Sequence, residues 1–303
     1  MDNNKKAVLV PIIFFKHYDW ALSIRELRRY LWQAELSESQ IEKVIESVPR
    51  LNYQAGRVWL GKDGSLLERT KLAQEFWCKV KRWRWIFSNV PFLSQVFVSN
   101  TLAFGAINNS SDIDLFLIGK SKRLWTMRAF LLVWFNLFNL RVQSTNRRAK
   151  FSPEFFVSET AIDLQPLLID NDYYFSFWLA DLVSIWSDNV VGKFWTDNNW
   201  NKHNLPIAWR SPNQQPLVPI KSSFFKMLCE RVLVGKIGDK LEGWLKRTQE
   251  KIILRTNERL GVNPSIIMSD DIIKLHFNDR RAQIKEEIER MLHEFEEVKT
   301  KVW

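Results

Sequence analysis

The sequence predicts an α+β protein: a small mixed sheet flanked by an N-terminal winged-helix-like unit and a C-terminal helical region. Three observations predict it. Two capping-box signatures and a short hairpin pattern fall within residues 1–64; β-type alternation returns at 95–98, 113–118 and 151–158; and amphipathic helical stripes dominate after residue 220. The implied division is 1–64, 65–170 and 171–303.

Ser23 with Glu26 and Ser37 with Gln40 have the spacing of capping boxes, which starts helices before the Leu27–Leu31 and Ile41–Ile45 runs. Leu51–Tyr53 and Arg57–Leu60 then read as two strands around Gln54-Ala55-Gly56, with Lys62-Asp63-Gly64 as a closing turn. Helix, helix, hairpin is a winged-helix-like order, which serves either nucleic-acid binding or protein contact. A DNA-reading helix projects basic and polar side chains into the major groove, whereas Ser39–Ser47 sets Lys43 against Glu42 and Glu46.

From Leu66 to Phe87 a helical stripe of Leu72, Phe76, Val80 and Trp83 has Lys79, Lys81, Arg82 and Arg84 beside it, either a solvated face or a phosphate-facing strip. The most apolar stretch, Leu124–Leu140, contains Arg128, Asn136 and Asn139 and falls short of the about 20 apolar residues a membrane span needs. It reads as a buried helix, with peripheral membrane contact as the weaker alternative. The aromatic residues between Asp172 and Trp200 read as helix-packing core, and Asn201–Pro219 as a linker or long surface loop. Phe224 to Leu245 suits a helix pair bent at Gly235 and Gly238, and Ile284, Ile288, Met291 and Phe295 stripe a last helix. The polar run Lys274–Arg281 before it is either a cap formed by Asp279 or a contact for a nucleobase or acceptor.

The chain has 303 residues and a net charge of +10, a field that attracts polyanions, so nucleic acid is a possible partner of the basic surface. With 46% hydrophobic and 26% charged residues it has the composition of a folded globular protein. The two cysteines, Cys78 and Cys229, form no disulfide framework or zinc spacing. The four histidines are scattered, and no P-loop or dinucleotide fingerprint occurs. Hydrolytic triads and zinc chemistry are thereby set aside. Met1–Lys6 is polar, and the apolar Val8–Phe15 is short and lacks a cleavage pattern, so a cytoplasmic protein is expected.

The chemistry concentrates at one motif. A strand at Gln95–Val98 runs into Ser99-Asn100-Thr101, and the loop ends at Ser110-Ser111-Asp112; the next strand alternates so that Asp112, Asp114 and Phe116 share a face. Carboxylates two residues apart raise each other's pKa unless a cation lies between them. Mg²⁺, or Mn²⁺, is suited to such a pair because it takes one or two carboxylates and completes its shell with water and phosphate oxygens.

Val98 to Leu115 resembles the DNA polymerase beta-like nucleotidyltransferase superfamily, whose signature is an apolar residue, Gly, then Gly or Ser, a loop, and Asp-apolar-Asp-apolar. The Gly-Ser pair appears here as Asn100-Thr101; Asn tolerates the left-handed backbone and Thr keeps a hydroxyl. The wider layout resembles an uncharacterised bacterial branch with an N-terminal winged-helix-like region. The resemblance implies that Asp112 and Asp114 bind metal, that Ser99, Asn100 and Thr101, with Ser111 at the end of the loop, cradle a nucleoside triphosphate, and that a nucleoside monophosphate passes to a hydroxyl acceptor. It also implies a third carboxylate on a neighbouring strand. Glu154 is the best-placed candidate, with Glu154, Phe156 and Ser158 expected on one face, while Glu159 and Asp163 read as the start of a helix. Between these strands Arg141, Arg147, Arg148 and Lys150 form a basic cluster in a loop with Ser144 and Thr145, for solvation, triphosphate neutralisation or acceptor guidance. The alternative function is a catalytically degenerate nucleotidyltransferase-fold protein that binds nucleic acid or a protein.

Overall fold

The computed structural model describes residues 1–61, 66–143, 146–188, 191–211, 217–260 and 264–297; the expected turn at Lys62-Asp63-Gly64, and Ser144 and Thr145, lie outside the described residues. The N-terminal unit is built from α1 (Asn3–Lys16), β1 (Leu22–Ser23), α2 (Ile24–Arg29), α3 (Glu38–Glu46), β2 (Asn52–Gln54) and β3 (Arg57–Trp59), with an antiparallel sheet in the order β1-β3-β2. Both capping boxes form: the Ser23 hydroxyl accepts from the Glu26 N–H and the Ser37 hydroxyl from the Gln40 N–H, and each acidic or amide side chain returns a bond to the cap backbone. These bonds satisfy N–H groups that the first turn leaves unpaired.

The short apolar stretch Val8–Phe15 is the buried centre of this unit. Residues Ala7–Phe15 of α1 are buried on every side, which explains why no amphipathic period was visible. Ile41, Ile45 and Val58 close over them, together with Ile284 and Ile288 of a helix from the far end of the chain.

Then follow α4 (Leu66–Trp83), β4 (Leu93–Val98), α5 (Asn100–Phe104), β5 (Ile113–Gly119), α6 (Leu124–Leu137), β6 (Phe151–Ser158), α7 (Tyr173–Ala180), β7 (Val183–Ser187), α8 (Val191–Asp197), α9 (Asn201–Asn204), α10 (Pro206–Arg210), α11 (Phe224–Val232), α12 (Lys236–Leu260), β8 (Ser265–Met268), β9 (Ile272–His276) and α13 (Arg281–Glu297). A six-stranded mixed sheet in the order β7-β4-β5-β6-β9-β8 is antiparallel throughout except for the parallel pair β5 and β6. One face packs Leu115, Leu117, Phe156 and Ile273 against α4, α6 and α12; the other packs Phe97, Phe116, Ile118 and Phe155 against α7 and α8.

Several expectations are corrected. The region after residue 170 is not only helical, since β7, β8 and β9 supply half of the large sheet. Asn201–Pro219 is not simply a linker: α9 and α10 bury Asn201, Leu205 and Ala208 there. Glu159–Leu164 forms a turn rather than a helix, because Glu159 accepts from Lys120 and Ser94 and so ties the end of β6 to its neighbours. Nor is α6 buried all round: Leu124, Trp125, Leu131 and Phe135 are buried while Val133 and Leu137 are exposed. The chain does break at Gly235, in the left-handed region at φ 78°, and a side chain at Gly238 would collide with the Leu233 carbonyl oxygen. Among the described residues no helix is long and apolar enough to cross a membrane.

The N-terminus of α6 has no cap of its own and is capped from α12. Glu242 accepts from the Trp125 N–H at 2.9 Å, from the Thr126 N–H at 2.8 Å and from the Thr126 hydroxyl at 2.5 Å. Replacing Glu242 with Ala leaves three buried donors unpaired at the positive end of a helix, so unfolding by urea should show a loss of about 2–4 kcal/mol; a loss below about 0.5 kcal/mol would show that water takes over the cap.

Candidate functional site

Parallel pairing aligns Ile113 with Phe151 and Asp114 with Ser152, so the N-terminal ends of β5 and β6 lie side by side. Asp112 and Asp114 stand at the start of one strand, Ser152 and Glu154 at the start of the other. The register shifts between Leu115 and Phe116, where Phe116 meets Phe155 and Glu154 is passed over. This bulge corrects the expected alternation. Glu154 keeps company with Ser152, whose hydroxyl donates to it at 3.0 Å, whereas Phe155 packs with Phe116 on one face and Phe156 lies in the core on the other.

The three carboxyls feel one another. Burial pushes the Asp114 carboxyl well above the usual carboxylate range, and the charges of Asp112 and Glu154 push it further, against an opposing hydrogen bond from Asn100 and the charge of Arg147. The Glu154 carboxyl is raised by burial and by Asp112, opposed by the Ser152 hydroxyl and Arg147. Arg147 is the cation on hand: its Nη2 donates to Asp112 Oδ2 at 2.8 Å from a largely exposed position.

The preceding loop behaves as its composition implied. Asn100 adopts the left-handed conformation at φ 55° that glycine would favour. Its side chain bonds Asp114 and accepts a hydrogen bond from the Tyr174 hydroxyl at 2.7 Å, and the buried Tyr18 hydroxyl lies near both. Ser99 sits beside Asp114, its N–H donating to the Asp114 carbonyl at 3.0 Å, and Thr101 follows in the first turn of α5. Ser111 is used differently from expectation: its hydroxyl accepts from the Asn108 N–H at 3.0 Å and its carbonyl from the Ala149 N–H, so it closes the loop.

The basic cluster is mostly committed to internal partners. Arg148 makes a bidentate pair with Glu75 of α4 and Lys150 donates to the Asn139 carbonyl, which pins the loop so that Arg147 reaches Asp112. Asp163 accepts from the Gln165 N–H and lies outside the site, as does Glu159.

Sequence reasoning missed Tyr18 and Tyr174, which no spacing connects to the Asp pair; His276, inside the polar run singled out above, stands on the face of β9 that Lys274 shares with Phe155. Burial lowers the His276 pKa to about 4, helped by Lys274 and Arg281, so the imidazole is neutral near pH 7. The polar run at 274–281 is largely structural: buried Lys274 pairs with Asp279 at 3.1 Å, Asp279 accepts from the Arg281 N–H at the start of α13, and Arg281 reaches Asp172 at 2.9 Å.

Hard oxygen donors of this kind suit Mg²⁺ or Mn²⁺, with two carboxylates sufficient when phosphate oxygens complete the shell. Among the described residues no three His, Cys, Asp or Glu side chains form a ready-made cation cage.

A carboxyl whose pKa is raised on folding favours the folded state most at low pH and loses that contribution as pH rises through its folded value. Without divalent ions, stability should therefore fall as pH climbs from about 4, the ordinary carboxylate value, towards neutrality. Asp114→Asn, which keeps an acceptor for Asn100, should flatten that fall and raise the melting temperature near pH 7.5 by about 2–6 °C. An unchanged pH profile in the variant would show that Asp114 is not the strained group. No family model, curated protein or solved structure matches the chain.

Proposed function

We propose that the protein is a metal-dependent nucleotidyltransferase that moves a nucleoside monophosphate from a nucleoside triphosphate to a hydroxyl acceptor. One observation carries the reading: Asp112, Asp114 and Glu154 gather at the N-terminal ends of two adjacent parallel strands, directly after a left-handed Asn100 turn. A carboxylate cluster paired, among the described residues, with the one exposed guanidinium of Arg147 is short of positive charge, and a triphosphate with its cation supplies what is missing. The strand order β4-β5-β6 with Glu154 on the neighbouring strand supports the resemblance drawn from Val98–Leu115.

Asp112 and Asp114 would hold Mg²⁺ or Mn²⁺, which when bound neutralises the triphosphate and polarises its phosphoryl oxygens. The chain's own residues then position the reactants. The Ser99 and Thr101 hydroxyls and the α5 backbone face the phosphates, Arg147 exchanges Asp112 for a phosphate oxygen, and Glu154 takes the proton from the acceptor hydroxyl. The acceptor oxygen bonds to the α-phosphorus as the bond to the β-phosphate bridging oxygen breaks and pyrophosphate leaves.

The N-terminal unit is read as winged-helix-like on its element order and its β1-β3-β2 sheet. Its α3 exposes Glu38, Lys43 and Glu46, which favours protein contact over the negatively charged backbone of nucleic acid. The Arg147–Asp112 pair favours one second reading, a binding protein on this fold without turnover, in which the guanidinium permanently replaces the cation.

Incubation with each labelled nucleoside triphosphate, Mn²⁺ and a mixture of RNA and protein acceptors should release pyrophosphate and label one acceptor. Asp112→Ala should lower that rate by about 10²-fold or more, the scale expected for losing a group that stabilises developing charge. Calorimetry should show divalent binding that weakens as pH falls, because ligating carboxyls must be ionised, and that is lost in Asp112→Ala. Triphosphate binding without turnover under any acceptor, indifferent to Asp112→Ala, would select the binding protein.

A further inference from the structure

Behind the sheet, on the face opposite Phe116, lies a cavity of about 200 Å³ between β6, β9, α6 and α12. Its walls are apolar at Leu132, Phe151, Ile253 and Leu275 and carry the guanidinium groups of Arg128 and Arg141. Arg128 is only 6% exposed, stacks over the Phe156 ring and donates to Gln249 Oε1, yet its Nε has no partner and no carboxylate pairs with it among the described residues. Arg141 likewise has no acidic partner among the described residues.

Burying a guanidinium without an anion costs several kcal/mol, and a second guanidinium nearby adds to that cost. Proteins retain such an arrangement where an anion completes it. Burial, with a smaller contribution from the charge of Arg141, brings the Arg128 pKa down to about 9, which leaves it charged near neutral pH. Glu154 belongs to the wall between this cavity and the carboxylate site. Arg141 is exposed and can be satisfied by water, whereas Arg128 is buried under aliphatic and aromatic walls, an arrangement built for a solute at the inner end of the cavity.

We propose that this cavity binds a small amphipathic anion, a phosphate or carboxylate held by Arg128 and Arg141 with an apolar body against Leu132, Phe151 and Leu275. The anion would accept from the outer N–H groups of the Arg128 and Arg141 guanidiniums that line the cavity, whose planar forks suit the two oxygens of either group. Size agrees, since a cavity of roughly 150 Å³ holds a benzene ring. The site is separate from triphosphate binding and needs no divalent ion.

The test is calorimetric titration of the full chain, without nucleotide or divalent ions, using phenyl phosphate, benzoate and the neutral benzamide to low-millimolar concentration. Saturable binding of phenyl phosphate alone identifies a phosphate site and of benzoate alone a carboxylate site; either supports the proposal. Arg128→Met should weaken binding by about tenfold or more while the melting temperature holds or rises, because the unpaired charge has gone. Ile252→Trp, at an exposed position on the cavity mouth, should block binding without touching either charge, and it carries the test if Arg128→Met fails to fold. Binding of none of the three probes, equal binding of benzamide and benzoate, or undiminished binding in Arg128→Met together with Ile252→Trp would each overturn it. Asp112→Asn should leave this binding unchanged, which keeps the result independent of any nucleotide chemistry.

Discussion

The parallel ladder between β5 and β6 is the constraint on which the rest of the molecule depends. Every other pairing in the large sheet is antiparallel and joins strands without regard to which ends carry chemistry. A parallel pair demands a crossover, supplied here by α6, and buries both faces of its strands. It also brings like ends together, so residues that open β5 stand next to residues that open β6. Asp112, Asp114 and Glu154 are neighbours for that reason, and the apolar runs on either side of them, Leu115–Ile118 and Phe155–Val157, are the core that holds the ladder in register.

Placing three carboxyls there works against folding, and the structure shows where the opposition is met. Arg147 supplies one cation, on a loop secured by Arg148 to Glu75 and by Lys150 to Asn139. Asn100 supplies a neutral donor to Asp114. Neither removes the destabilisation, and Asp114 remains well above the usual carboxylate range. Charge imbalance that survives its local remedies marks a site waiting for a ligand more often than a structural device. The same logic with the sign reversed applies behind the sheet, where Arg128 has no carboxylate partner among the described residues and its Nε no hydrogen-bond partner.

Much of this was legible from local rules. The two capping boxes, the left-handed Asn100 and the Asp112–Asp114 face depend on short-range geometry that residue type dictates. What escaped depends on contacts distant in sequence. Val183–Ser187 lies in an aromatic-rich stretch whose packing value in a helix or a strand is the same, and only pairing with β4 makes it a strand. The hairpin of β8 and β9 was not foreseen, and its second strand runs into the polar stretch Lys274–Arg281 that read as an interruption before the last helix, because Lys274 is buried and paired where its type implies exposure. The bulge that turns Glu154 away from Phe156 breaks strict alternation, and alternation was the only tool available for placing it. Pro153 and Glu154 within a buried strand were the available hint.

The Asn100-Thr101 departure from the Gly-Ser pattern takes on a different meaning once its surroundings are known. Glycine would offer the left-handed turn and nothing else; Asn100 offers the same turn and a side chain that bonds Asp114 on one side and the Tyr174 hydroxyl on the other. Tyr174 belongs to α7 and its ring packs against Phe14 of α1, so the amide links the carboxylate site to the N-terminal unit through one hydrogen bond and a ring contact. That unit is itself closed by α13 from the other end of the sequence. A small residue at position 100 would leave Tyr174 without its acceptor and Asp114 without its donor, in a site where every donor to Asp114 counts. On the proposed function the departure is therefore a substitution of one means of positioning for another, and the N-terminal unit becomes part of the framework that holds the loop rather than an appendage to it.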